Sequence, residues 1–163
     1  MVELATERLI LRDVGEPDRD VIRAILCDPK VRRYLGGPVP DNRIDAAVDA
    51  YYCARDDERV WTAQLAESST IGLVSLTPHT DGRDTEISYQ FLPNFWGKGY
   101  ASEAISGVLA HAQTDLNLGR VIAETQAENL ASWRLLEKVG MWPERSVIRF
   151  GVEQIIYVRL TVP

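Results

Sequence analysis

The stretch Pro93-Asn94-Phe95-Trp96-Gly97-Lys98-Gly99-Tyr100-Ala101-Ser102-Glu103-Ala104 places two glycines and a lysine just before a run of apolar residues at helical spacing. The first amides of a helix lack carbonyl partners, and the aligned peptide dipoles leave about half a positive charge there. Backbone alone can therefore hold an anion at such a point, a phosphate above all. Glycine at 97 and 99 lets phosphate oxygens approach with no side chain between. The same pair also reads as a tight strand-to-helix turn whose small residues serve packing. A nucleotide P-loop is excluded, because Lys98 precedes the second glycine instead of following it. A dinucleotide fingerprint fails as well, since Ser102 stands where a third Gly or Ala is needed and the chain offers only one mid-chain crossover.

The elements that must hold this loop follow from periodicity. Leu4 to Asp13 reads as a strand, and Pro17 opens a helix with Val21, Ile22, Ile25 and Leu26 on one face. Gly36, Gly37, Pro38 and Pro40 make a loop, followed by a second amphipathic helix carrying Ile44, Ala47, Val48 and Tyr51. Trp61 to Leu65, Thr70 to Leu76 and Glu86 to Leu92 form an antiparallel meander joined by polar turns, the second of them Asp81-Gly82-Arg83-Asp84. From Gly99 the period changes, with Ala101, Ala104, Ile105, Val108, Leu109 and Ala112 on one helical face and Gly119 as a break. Arg120 to Thr125 is again a strand. Asn129 opens a short helix with Trp133, Leu136 and Val139 inward and Gly140 as its left-handed cap, and strands follow near Ser146 to Phe150 and Gln154 to Leu160. The order βααβββαβαββ predicts one α/β (α+β mixed) domain over residues 1–163. It has a central, mixed, mostly antiparallel sheet of about seven strands flanked by about four helices.

Composition narrows the partners. The 163 residues carry 18 basic side chains, 24 acidic ones and a formal charge of -6, which excludes a polyanion binder held by counterion release, so no nucleic acid is expected. Cys27 and Cys53 form no CxxC pair and neighbour no metal-spaced histidines, so neither a disulfide nor a metal is expected, and a reducing cytoplasm is the natural compartment. Glu3 and Glu7 occupy positions where a signal peptide has basic residues, and no apolar run reaches bilayer length, so neither export nor a membrane partner is expected. His79 and His111 match no metal spacing and are expected in exposed or capping roles, with Trp61, Trp133 and Trp142 in the core.

Trp96 to Ala104, together with Asn129-Leu130-Ala131-Ser132, Leu136-Glu137-Lys138-Val139-Gly140-Met141 and the opening Thr6-Glu7-Arg8-Leu9-Ile10-Leu11-Arg12, resembles the GNAT superfamily of N-acetyltransferases. The likeness is to its Rim-type branch, related to ribosomal-protein N-terminal acetyltransferases, and it runs from about Thr6 to Met141. It implies transfer of acetyl from acetyl-CoA to a primary amine, either a protein N-terminus or a small molecule, by direct attack in a ternary complex. A homodimer is compatible with it. The resemblance assigns the pyrophosphate to Trp96, Gly97, Lys98, Gly99, Tyr100 and Ala101, with the amides of Gly97, Gly99 and Ala101 facing it. The pantetheine then lies between strands 86–92 and 120–125, pairing with backbone at Phe91 and Leu92 like an added strand. Asn129 matches the asparagine that binds the pantetheine, and it also reads as a plain N-cap.

Many members protonate the departing thiolate with a tyrosine in the last helix. Leu136 stands there, and the branch's serine, Ser132, is expected to act as hydrogen-bond donor or acid, its other reading being an ordinary first-turn serine. The missing tyrosine also leaves open a non-catalytic acyl-CoA-binding module. Stripping the proton from an amine of pKa near 10.4 at pH 7 costs about 4 to 5 kcal/mol, so a carboxylate base is expected. Glu86 and Glu124 are the candidates, with strand alternation leaving open whether each points inward. Glu103 is expected to engage local backbone donors of its own turn, Lys98 to attract phosphate or remain solvated, and Tyr89 to line the acceptor pocket or fill core. Gly36 to Asn42 and Pro78 to Asp84 are expected to shape the acceptor pocket, and the net acidity favours a cationic amine.

Overall fold

The computed structural model describes residues 3–53, 55–65 and 69–160. Along the chain run β1 (Leu4–Ala5), β2 (Leu9–Asp13), α1 (Arg19–Cys27), α2 (Asp41–Ala50), β3 (Arg59–Leu65), β4 (Thr70–Pro78), β5 (Thr85–Phe91), α3 (Tyr100–Thr114), β6 (Arg120–Gln126), α4 (Leu130–Lys138), β7 (Trp142–Arg149) and β8 (Val152–Leu160). The eight strands form one mixed sheet in the order β1-β2-β3-β4-β5-β6-β8-β7. This is the expected element order with one more strand. The stretch Leu4 to Asp13 folds back on itself because Thr6 closes a turn: its N–H donates to the Leu9 carbonyl (2.9 Å) and its hydroxyl oxygen accepts the Leu9 N–H (3.1 Å).

The second helix begins at Asp41, so the preceding loop is shorter than expected. β7 starts at Trp142, ahead of the expected Ser146, and passes Pro143 through a register shift on the sheet edge, where a missing N–H is tolerated. Phe150 (φ 53) and Gly151 (φ 77) form the two-residue turn into β8, the positive-φ geometry that matches hairpin twist. The polar turn expected between β3 and β4 falls at residues 66–68, outside the described residues.

The sheet divides two apolar layers. On one face Leu11, Trp61, Val74, Ile87, Phe91, Val121, Ala123 and Tyr157 pack against Ala104, Ile105, Val108 and Leu109 of α3 and Leu136 of α4. On the other, Leu73 packs against Ile22, Ile25 and Leu26 of α1 and Ile44 and Val48 of α2. The alternation of each strand sends successive side chains to opposite layers, so every β5 and β6 residue is assigned a face.

One pairing in the interior of the sheet is short. β4 and β5 align over seven antiparallel residue pairs, and so do β6 and β8. The parallel β5 and β6 pair only at Thr85 with Val121 and at Glu86 with Ile122. Beyond that point the strands part, leaving a slit through the sheet. Gly72 helps hold β5 on the β4 side: it lies opposite Phe91, and a Cβ there would sit 2.4 Å from the Phe91 ring. Replacing Gly72 with Ala is therefore expected to cost about 1 to 3 kcal/mol through overpacking, read as a lower urea midpoint at unchanged m-value; an unchanged midpoint would show that the ring has room to move.

Candidate active site

The loop after β5 is built to expose amides. Its start is clasped shut: Phe95 N–H donates to Leu92 O (3.0 Å), Trp96 N–H to Pro93 O (3.1 Å), and the Trp96 indole to Phe91 O (2.7 Å). Gly97 (φ 73) and Gly99 (φ 83) then take left-handed conformations that side chains resist. Gly99 is the N-cap of α3, and the first amide with a backbone acceptor is that of Glu103, on Gly99 O (3.0 Å). Among the described residues, the amides from Gly97 to Ser102 have no protein acceptor. A Cβ built on Gly97 meets nothing within 4 Å, so the cradle opens outward. Beside it lies a depression of about 400 Å³ whose lining includes Arg8, Lys98, Ser102 and Lys138.

Arg8 and Lys138 were not legible as site residues. Arg8 donates to the Lys98 carbonyl (3.0 Å) and lies over the Tyr100 ring at 4.6 Å, while the Lys98 ammonium sits over Phe95. Glu103 departs from its expected role. Its carboxylate accepts not from its own turn but from the Arg8 N–H (2.6 Å), the Arg8 Nε (2.7 Å) and the Thr6 hydroxyl (2.6 Å), pinning the β1–β2 turn to the start of α3. Burial alone would raise its pKa, but these donors outweigh burial and hold it below the usual carboxylate range.

Two side-chain sets flank the slit on opposite faces. On the α3–α4 face, the Tyr89 hydroxyl lies 2.6 Å from Ser132 Oγ, and the Ser132 N–H donates to Asn129 Oδ1 (3.2 Å). Asn129 is thus the N-cap of α4, and Ser132, 9% exposed, serves more than the helix start. Leu136 is fully buried in the core. Burial pushes the Tyr89 phenol up to about 12, against a lesser opposing effect of the Ser132 bond.

The α1–α2 face carries Glu86, Ser88 and Gln90 from β5 and Glu124 and Gln126 from β6. Both candidate carboxylates share this face, but their environments differ. Glu124 is engaged, 2.9 Å from His79 Nε2 and in ion-pair contact with Arg149 Nε at 3.1 Å. Glu86 makes no salt bridge among the described residues; burial raises its pKa, the His79 charge opposes the rise and the Glu124 charge adds to it. The residues between α1 and α2 roof this face: Gln126 donates to Tyr34 O (3.1 Å), and Arg32 Nη1 lies 3.5 Å from Gln90 Oε1. Arg32 also donates to the Gly37 carbonyl (3.1 Å), which ties the glycine loop to this roof.

Both histidines are buried, against the exposed alternative, while each keeps a local partner at a turn or helix end, as the capping alternative expects. His79, 4% exposed, bridges Glu124 and Asp81, the latter 2.9 Å from Nδ1. His111 packs edge-on against the core Trp61 and pairs with Asp115 (2.9 Å). Trp133 is partly buried against the main core, whereas Trp142 is exposed. Leu92 is also unlike its expected role: its N–H donates to Ile71 O (3.0 Å), its carbonyl accepts Phe95, and its side chain joins the α1–α2 layer. That bond fixes the ladder alternation, which turns the backbone of Tyr89 and Phe91 away from β4 and toward the slit. A larger depression, about 570 Å³, lies apart among Asp81, Arg83, Asp84, Arg120 and Arg145, where Arg120 pairs with Asp84 and Arg145 contacts Asp81. Among the described residues no helix is long and apolar enough to cross a membrane.

The sequence matches, over residues 8–142, the family model described as an acetyltransferase (GNAT) domain. It is 33% identical over 151 residues to a Bacillus subtilis (strain 168) protein named uncharacterized N-acetyltransferase YoaA, with 86% of this chain and 83% of the relative covered. The fold matches that of an acetyltransferase (GNAT family) from Bacillus anthracis with TM-score 0.85 and 26% identity over 98% of each chain. It also matches spermidine N-acetyltransferase from Vibrio cholerae, solved in complex with CoA and spermine, with TM-score 0.81 and 22% identity over 94% of this chain and 95% of the other.

The His79 bridge has a pH signature. Burial lowers the imidazole pKa, yet the bonds to Glu124 and Asp81 outweigh it, and the folded value lies above the ordinary 6.5. A raised folded pKa contributes stability that is fully present below the unfolded value and lost as pH climbs through the folded one. Replacing His79 with Gln is expected to cost about 2 kcal/mol near pH 6, the scale of hydrogen bonds to a charged group. In urea titrations at several pH values the gap narrows as pH rises past about 6.5; a gap widening with pH would contradict the bridge.

Proposed function

The chain belongs to the GNAT acetyltransferase family, and from that premise we propose that it transfers the acetyl group of acetyl-CoA to a primary amine by direct attack, both reactants held in one ternary complex. The observation that carries this reading is the two-pair ladder between β5 and β6. It leaves the backbone of Tyr89 and Phe91 facing a slit, beside a helix start whose amides lack protein partners. Buried backbone groups require partners, and an amide-bearing arm entering as an extra strand supplies them. The donor set fits CoA. The amides of Gly97, Gly99 and Ala101 would hold its phosphates, with cations from Arg8, Lys98 and Lys138, while Trp96 and Tyr100 keep the loop in shape and Phe91 and Asn129 hold the pantetheine. When bound, acetyl-CoA supplies an acyl group activated as a thioester.

The amine enters from the α1–α2 face. Glu86 is the base: it makes no salt bridge among the described residues, and burial has raised its proton affinity toward that of the amine it must relieve. Glu124, held by His79 and Arg149, supplies negative charge to attract the ammonium instead of taking its proton. Ser132 faces the leaving sulfur from the opposite layer. Most of the acceleration comes from alignment of the two reactants. The spermine bound by the Vibrio cholerae protein and the formal charge of -6 here both favour a cationic small amine as acceptor. The Thr6–Arg12 opening and Ser132 support the likeness to the Rim-type branch, which keeps a protein N-terminus as the second acceptor to assay. The exposed free thiols of Cys27 and Cys53 suit the cytoplasm.

Wild-type protein with acetyl-CoA and spermidine, spermine, an aminoglycoside or a peptide with a free N-terminus is expected to release CoA thiol with at least one acceptor; release with none sinks the reading. Changing Glu86 to Gln is expected to lower kcat about 100-fold. The Glu124→Gln variant should instead act mainly by raising the acceptor KM. Introducing Ala at Gly97 strains a left-handed residue by about 1 to 2 kcal/mol and should raise the acetyl-CoA KM roughly tenfold with kcat retained. An unchanged acetyl-CoA KM would remove Gly97 from the phosphate site.

A further inference from the structure

We infer that Tyr89 is a positioning residue that fixes the Ser132 hydroxyl as a hydrogen-bond donor to the CoA thiolate, and that the pair stabilises this leaving group without protonating it. The inference rests on the acetyl-transfer reading above. Its physical basis is the 2.6 Å contact between the Tyr89 hydroxyl and Ser132 Oγ. Tyr89 belongs to β5 and Ser132 to α4, which packs on β6, so this bond crosses the slit on the α3–α4 face. Each hydroxyl has a single proton. A phenol is the stronger donor of the two, so Tyr89 gives its proton to Ser132 Oγ and the serine's own proton is left free to point into the slit. Asn129 Oδ1 holds the Ser132 N–H (3.2 Å), which keeps the serine backbone from turning away.

Whether the pair acts as acid or as donor is decided by proton affinities. Burial pushes Tyr89 up to about 12, whereas an alkyl thiol ionises near 8.5. Full transfer of a proton from the pair to the thiolate is thus unfavourable by roughly three thousandfold. The ammonium first gives one proton through Glu86 to solvent; the amine electron pair then forms the C–N bond, the C–S bond breaks with its pair remaining on sulfur, and the second nitrogen proton passes to the vacated Glu86 carboxylate. Sulfur leaves as an anion hydrogen-bonded to Ser132 and takes a proton from solvent afterward. Leu136 offers no proton from the middle of α4, and Tyr89, on a different element, supplies a phenol by way of the serine.

The test needs no acceptor. Binding of CoA and of desulfo-CoA, which lacks the thiol, is measured by calorimetry between pH 6.5 and 10 for wild type, Tyr89→Phe, Ser132→Ala and the double variant. Wild type is expected to prefer the thiolate about tenfold, so the bound thiol ionises about one pH unit below the free thiol. Each single variant loses most of that preference, the double variant loses no more than either single one, and desulfo-CoA affinity stays within twofold throughout. Tyr89→Phe retaining the wild-type pH dependence overturns the proposal, as do additive losses. A Tyr89→Phe protein that loses desulfo-CoA as fully as CoA also overturns it, because the hydroxyl is then merely structural. Failure of wild type to bind either ligand would instead remove the acetyl-transfer reading itself.

Discussion

The rest of the structure depends on a pairing that stops early. Two residue pairs join β5 to β6, while each strand pairs over seven positions with its other neighbour. The sheet is therefore two parts, β2 to β5 with β1 at its edge and β6 to β8, joined along a short seam. A ladder left open inside a protein confronts the rule that buried N–H and C=O groups find partners. The Trp96 indole answers for one of them at the Phe91 carbonyl, and the proposed pantetheine arm would answer for others.

Opening a sheet requires that something else carry its continuity. Here side chains do so, and the same side chains form the site. Tyr89 reaches from β5 to Ser132 on α4, the end of β4 reaches β6 through His79 and Glu124, and Gln126 on β6 ties back to the Tyr34 carbonyl between α1 and α2. Arg120 closes the narrow end on Asp84. Catalysis inherits the division of the sheet into faces. The hydroxyl pair lies on the α3–α4 face and the carboxylates on the α1–α2 face, so a group threaded through the slit meets opposite chemistries at its two sides.

The acidic balance of the chain and its proposed affinity for a polyanionic cofactor are reconciled by where the charges stand. Glu103 stands in the first turn of α3 after the exposed amides, and its carboxylate is occupied by Arg8 and Thr6. It also brings the Arg8 guanidinium to the loop. A negative side chain thus serves the proposed anion site by holding a positive one in place.

Local patterning determined much of this. Helical and strand periods were enough for the element order, because one face of each must be apolar to pack. The glycine spacing marked the loop because glycine takes the left-handed conformations found at 97 and 99 without steric cost. The shared face of Glu86 and Glu124 needed the register between two strands distant in sequence. Their different surroundings, Glu124 ion-paired and Glu86 without a salt bridge among the described residues, needed His79 and Arg149, brought in from two further segments. The burial of both histidines, the clamp of Arg8 on Glu103 and the contact of Tyr89 with Ser132 were likewise decided by tertiary structure. The reason is physical: propensity and periodicity act between residues a few positions apart, whereas desolvation, hydrogen-bond partners and the charge state of a buried group depend on what folding brings from elsewhere in the chain.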